Sequence, residues 1–156
     1  MGCGKTTIGK KIAAKMNMDF LDLDHYIEEK WGRIPELFLH GEEYFRDIES
    51  LAALEAGNKE HTVIATGGGI IKREKNILNL KRNGIIFFID RSIEDIMKDI
   101  EISERPLLLE GKEKLYNIYK ERYQKYIETC DFHIKNTSSI ENVLDEVISI
   151  WKLKNN

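Results

Sequence analysis

Short unbroken apolar runs alternate along this chain with stretches whose apolar residues recur every three to four positions. Thr62-Val63-Ile64-Ala65-Thr66 and the run from Ile85 to Asp90 are continuous apolar segments, and Phe132 to Lys135 is a shorter one. Such runs suit strands covered on both faces, as in a parallel sheet. Asp19 to Asp24 predicts one more strand, short and ending in carboxylates. Helical spacing covers Lys5 to Met16, His25 to Trp31 with Gly32 as its cap, and the turn region from Ile34 to His40. From Gly41 to Ala56 the residues Phe45, Ile48, Leu51, Ala52 and Leu54 share a helical face that Gly57-Asn58 closes. Further helices are predicted over Lys75 to Lys81, after the Ser92 cap (Ile93, Ile96, Met97, Ile100), over Lys114 to Thr129, and from Ser139 to Leu153 behind a Ser138/Ser139 cap. Residues 101–113, around Arg105-Pro106-Leu107, break the pattern and read as an exposed mobile segment. Four strands alternating with helices predict an α/β fold of three layers, a parallel sheet with helices on both faces.

At 156 residues the chain is most simply one domain, with room for a core that needs no disulfides. Its net charge of −3 argues against a nucleic acid or an anionic membrane held by bulk charge, and leaves a small anion held by a few placed arginines. Cys3 and Cys130 form no paired framework and no metal-type spacing, so a reduced, cytoplasmic setting is expected. The start lacks the apolar run of a signal peptide, and the longest apolar stretch is far shorter than the ~20 residues of a membrane span.

The first residues change the picture most. Gly4-Lys5-Thr6 is the closing half of the phosphate-loop pattern G-x-x-x-x-G-K-[ST], in which backbone N–H groups wrap a nucleotide's phosphates, the lysine reaches the β and γ groups, and the hydroxyl binds Mg²⁺. Gly2 to Thr7 would line the anion and the following helix would face it with its N-terminus. The motif's first glycine falls two residues before Met1, and the buried strand that ordinarily leads into such a loop would precede it. The expectation is an upstream start codon with Met1 internal; the alternative is a chain that begins with a compromised loop.

Ligands of open parallel sheets bind beyond the carboxyl ends of the strands, where Asp22, Asp24 and Gly67-Gly68-Gly69 fall. One aspartate could hold Mg²⁺ through water while the other meets a substrate hydroxyl; taken alone, such a pair reads as turn or cap residues. Three consecutive glycines mean a close backbone approach or a sharp turn. Arg46 and Arg122 alone read as surface charges. Converging on one pocket, they would suggest a carboxylate substrate gripped at two points.

Gly2-Cys3-Gly4-Lys5-Thr6-Thr7-Ile8-Gly9, Leu21-Asp22-Leu23-Asp24, Glu43 to Glu49, Gly67 to Gly69, Arg105-Pro106-Leu107-Leu108 and Glu121-Arg122-Tyr123, in this order, resemble shikimate kinase over essentially the whole chain. The resemblance implies a P-loop, nucleoside-monophosphate-kinase-like fold in a single domain, 1–156, with a substrate-binding region at about 24–57 and a lid at about 101–114. It implies transfer of the γ-phosphoryl group of ATP to the 3-hydroxyl of shikimate, a step of aromatic amino-acid biosynthesis, by a monomer.

Position by position, it makes Gly2, Cys3, Gly4, Lys5, Thr6 and Thr7 the ATP phosphate loop, and Thr6 and Asp22 the holders of Mg²⁺. Asp24 would bind the shikimate hydroxyl and act as base, while Lys5 and Arg105 would neutralise the phosphates. Arg46 and Arg122 would clamp the substrate carboxylate, and Gly68 would supply a backbone contact. Phe38, Phe45 and Glu49 match positions that shape the substrate pocket. Lys98 stands where many relatives carry an arginine beside adenine, and Thr137-Ser138-Ser139 where another basic contact is common, so looser adenine binding is expected. Two other readings stay open: a non-catalytic shikimate-binding homologue with a defective phosphate loop, and another small-molecule kinase of this fold, such as a gluconate kinase.

Overall fold

A computed structural model describes residues 4–97, 108–137 and 139–155, with backbone only for residues 108–115. The chain divides into two compact units, residues 5–86 and a second unit made of the described residues from 87 onward together with Gly4.

In the first unit, α1 (Lys5–Met16) ends where Asn17 turns left-handed at φ 52°. The amide of Met18 then reaches back to the carbonyl of Ala13 at 2.9 Å and that of Asn17 to Ala14 at 3.4 Å, so two end carbonyls that the helix leaves open are satisfied. The chain enters β1 (Asp19–Asp22), which pairs in parallel with β2 (Thr62–Ala65) in the register Asp19↔Thr62 to Asp22↔Ala65. Both strands therefore end at the same edge. α1 packs across this pair through Ile8, Gly9, Ile12 and Ala13. A Cβ at Gly9 would lie 2.8 Å from the ring of Phe20, so the helix approaches the strands as closely as glycine alone permits.

β1 is shorter than the sequence suggests. It stops at Asp22, whose extended backbone (φ −92°, ψ 117°) caps α2 (Leu23–Trp31), and Gly32 at φ 105° ends that helix as expected. α3 (Ile34–Leu39) carries its proline in the first turn, where no amide hydrogen bond is lost. α4 (Glu42–Gly57) buries Ile48, Ala52, Ala53 and Ala56, and a three-residue 3-10 turn, Ile70–Lys72, leads into α5 (Glu74–Lys81). Gly57, expected to terminate α4, belongs to it instead: a Cβ there would run into the main-chain carbonyl of Asn79, so its bareness lets α4 and α5 pack closely. Leu23 and Ile27 of α2 are wholly enclosed, each worth about 2 kcal/mol by burial.

The second unit pairs β3 (Phe87–Asp90) in parallel with β4 (Phe132–Lys135). Ser92 opens α6, described over 93–97, by accepting the Asp95 amide at 3.1 Å, as its sequence signature predicts. α7 (Leu108–Thr129) begins six residues before the predicted Lys114. Residues 108–113, read as irregular, are helical because Leu108, Leu109, Glu110, Lys112 and Glu113 are strong helix formers, which outweigh one glycine at about 1 kcal/mol. α8 (Ile140–Asn155) is capped by Ser139, whose hydroxyl accepts the Asn142 amide at 3.3 Å. Four strands are present among the described residues, as counted from the sequence, and both pairs are parallel. Met1 to Cys3, residues 98–107, Ser138 and Asn156 lie outside the described residues, and with them Gly2, Cys3, Lys98 and Arg105, to which the sequence gives roles.

Candidate active site

Within the first unit, the shared carboxyl edge of β1 and β2 gathers the chemistry. Thr6, in the first turn of α1, donates its hydroxyl to Oδ2 of Asp22 at 2.8 Å. The other oxygen of Asp22, Oδ1, accepts the amides of Asp24 at 3.1 Å and His25 at 3.4 Å. One aspartate thus does two things, capping α2 with one oxygen and facing the phosphate-loop threonine with the other. The sequence left open whether Asp22 and Asp24 face apart, as in a strand. They do not, because the strand has already ended and both sit at the start of a helix.

A hydroxyl and a carboxylate oxygen side by side form an oxygen-only pair of the kind Mg²⁺ favours, an ion that keeps several waters and takes its other ligands from a nucleotide's phosphates. Thr6 and Asp22 therefore fit the metal that the motif implies. Gly4, just before α1, has φ 85°, a left-handed conformation that suits glycine at a phosphate-binding turn.

Asp24 keeps an exposed edge, yet its carboxyl is crowded by protein. Burial pushes its pKa above the ordinary aspartate value, with the charge of Asp22 pushing the same way and Lys5 and Arg46 pulling against both. A Cβ on Gly67 would stand 2.7 Å from Oδ1 of Asp24. Two residues further along the same turn, a Cβ on Gly69 would run into Nη1 of Arg46 and stand 2.8 Å from its Nη2. Gly67 and Gly69 are thus bare because a carboxylate and a guanidinium lie against their backbone, while the turn they make needs no left-handed φ.

Arg46 is buried, at 7% exposure, contrary to the surface charge that an arginine on an amphipathic helix suggests. Its Nη1 donates to Oε2 of Glu49 at 2.7 Å, and Nη2 and Nε donate to Oε1 of Glu42 at 3.1 and 3.2 Å. Phe38 and Phe45 stack at 4.4 Å, and the guanidinium carbon lies 5.0 Å from the centre of the Phe45 ring. Burial pushes Glu49 up while Arg46 draws it down; the ion pairs with Lys72 and then Arg46 hold Glu42 low.

A profile of the shikimate kinase family matches residues 1–152. A shikimate kinase of Clostridium botulinum (strain Alaska E43 / Type E3) is 48% identical over 150 residues, covering 96% of this chain and 91% of the relative. The solved shikimate kinase from Acinetobacter baumannii in complex with shikimate superposes with a TM-score of 0.87 at 32% identity, over 100% of this chain and 90% of that one. The chain belongs to the shikimate kinase family. That of Bacteroides thetaiotaomicron gives 0.85 at 29% identity over 97% of this chain and 94% of its own.

Membership gives the α/β fold of the P-loop kinases and the reaction class, ATP-dependent phosphoryl transfer to an alcohol group. Of the site residues expected for this family, the structure brings Thr6, Asp22, Asp24, Arg46 and the Gly67–Gly69 turn together in one unit. Lys5 begins α1 beside Thr6, and Thr7 follows in the same turn. Arg122 lies half-buried on α7 of the second unit. Two participants escaped the sequence: Glu42, although its spacing of four residues before Arg46 on one helix was a readable signal, and Lys72, which had none.

Proposed function

We propose that this protein is a shikimate kinase, carrying the γ-phosphoryl group of ATP to the 3-hydroxyl of shikimate, and that the span 1–156 works as one kinase domain. The observation that carries the reading is the Gly67–Gly69 turn, which has the Asp24 carboxyl against one end and the Arg46 guanidinium against the other. A polyol acid that offers a hydroxyl at one side of its ring and a carboxylate at the other fits that pairing. The family profile, continuous over 1–152, supports the single-domain reading.

In such a transfer the transition state is loose, and positioning with positive charge does most of the work. Arg46 would take the substrate carboxylate end-on, the family resemblance gives Arg122 a share in the same role, and the Gly68 backbone would supply a further contact. Asp24 would accept a hydrogen bond from the attacking hydroxyl and orient its lone pair; the raised pKa leaves it basic enough to take the proton as the bond to phosphorus forms. Lys5, the Gly2–Thr7 loop and Arg105 would neutralise phosphate charge, the last from a lid that excludes water. Mg²⁺, held by Thr6 and through water by Asp22, would supply further charge to the phosphates. On the family resemblance it would work as a monomer in the cytoplasm; among the described residues no helix is long and apolar enough to cross a membrane.

The test is ADP release from ATP and Mg²⁺, measured by a coupled assay with shikimate and, in parallel, with gluconate. Turnover with shikimate alone is expected. Turnover with gluconate instead would reassign the substrate, and shikimate binding without ADP release would make the chain a binding homologue.

A further inference from the structure

Glu42, which opens α4, stands where the two substrate-facing elements of the first unit meet. Its Oε1 accepts three donors from two directions: Nη2 and Nε of Arg46 at 3.1 and 3.2 Å on its own helix, and Nζ of Lys72 at 2.5 Å from the turn that follows Gly69. We infer that Glu42 is a positioning residue for the substrate carboxylate: it sets the roll of the Arg46 guanidinium and, through Lys72, ties the Gly67–Gly69 turn to α4. The inference rests on Arg46 being the carboxylate grip.

A guanidinium has five N–H groups. The bonds to Glu42 and Glu49 use three and leave one on each terminal nitrogen, a pair able to take a carboxylate end-on. Both terminal nitrogens lie beside Gly69, which places the grip next to the glycine turn. Without Glu42 the guanidinium keeps only the Glu49 bond and can roll about it. An exposed ion pair in isolation contributes little, but here one partner is the buried Arg46, whose charge cannot exchange freely into water.

Charge balance acts in the same direction for Lys72 only. Arg46 and Lys72 offset Glu42 and Glu49, so the cluster presents no net charge to an arriving anion. Losing the charge of Lys72 would leave it at −1 and repel a carboxylate. Losing that of Glu42 would leave it at +1 and draw an anion in, so a KM rise in Glu42→Gln reports the roll of the guanidinium against that pull.

The experiment compares the wild-type enzyme with Glu42→Gln, Lys72→Met and the double variant, using shikimate and its neutral carboxamide, with melting temperatures alongside. For Glu42→Gln the KM for shikimate should rise about five- to tenfold, the scale of one ordinary net hydrogen bond, since the amide oxygen of glutamine still accepts. The kcat should change less than threefold, and the KM for ATP should hold. Lys72→Met should give a smaller rise, and the double variant no more than Glu42→Gln, because both cut the same link. Binding of the carboxamide, which offers no charge to grip, should be insensitive to all three.

An unchanged or lowered KM overturns the inference, as does equal weakening toward both ligands or a fall in kcat that tracks the melting temperature. Should Glu42→Gln fail to fold, Lys72→Met carries the same comparison from the other side. A wild-type protein that turns over shikimate while its variants match it sinks this inference alone; one that does not use shikimate sinks the functional reading as well.

Discussion

Two largely enclosed charges, Arg46 in the first unit and Asp90 in the second, are treated differently. In the second unit Asp90, at the end of β3, accepts the Tyr119 hydroxyl on Oδ1 at 3.2 Å and the Tyr123 hydroxyl on Oδ2 at 3.0 Å, with Nε2 of His133 2.8 Å from Oδ2. The ring of Phe88 stacks on His133 at 5.3 Å and on Tyr126 at 5.1 Å, closing the cluster with apolar surface. Burial and the Asp90 charge push the Tyr119 hydroxyl far above its ordinary pKa, so it stays a donor at any working pH. Arg46, in the first unit, gives one N–H of each terminal nitrogen to a carboxylate, and both of those nitrogens lie beside the backbone of Gly69. A buried charge satisfied wholly by its own unit is a staple. One whose donors are held in reserve is a site, and substitutions at the two should fail in different currencies.

The largest expected effect sharpens the site side of that contrast. Asp24→Asn should lower kcat by about a hundredfold or more, the range of a lost general base, while circular dichroism and melting temperature stay near wild type. Next, Arg46→Lys should raise the KM for shikimate by about tenfold, since an ammonium cannot reproduce a planar two-point grip. An unaltered KM would remove the carboxylate role. On the staple side, Asp90→Asn should cost about 2 kcal/mol in urea unfolding, because charged acceptor bonds to two tyrosines and a histidine are weakened in a buried place. Its KM for shikimate should stay within twofold; a KM effect without loss of stability would erase the distinction drawn here.

The smallest effect concerns pH. The pKa of Asp24 is raised in the folded state, so the site favours the protonated form. Whatever stability this protonation contributes is present below the ordinary aspartate range and is lost as pH rises through the raised value. Asp24→Asn should therefore melt slightly higher than wild type near neutrality and no higher in acid, with its exposed edge keeping the difference small. For activity the direction reverses: kcat/KM should fall as pH drops through that same raised value.

Much of this was readable in the chain. The helical periods, the parallel-type strands, the Gly32 and Ser92 caps and the Gly4-Lys5-Thr6 motif all appear in the structure where the sequence puts them. The strand end at Asp22 was harder, because an N-cap residue has the same extended backbone as a strand and nothing local separates them. Arg46 looked like a solvated charge because burial depends on what α3 and the glycine turn bring over it, which are long-range facts. Its two carboxylates, by contrast, lie four residues before and three after on the same helix, a local spacing that brings all three onto one face. The pairing of Lys72 with Glu42 spans 30 residues and became visible only with the fold.

Gly57 gives the substrate grip a distant dependence. The helix that carries Arg46 is wedged at its other end under the Asn79 carbonyl, roughly 16 Å along the axis from the arginine. With no clearance there for even a methyl group, α4 is held close against α5, so the aim of the guanidinium depends on a contact at the far end of its helix. A screen for altered substrate preference should therefore recover changes around Gly57 and Asn79 as well as in the pocket.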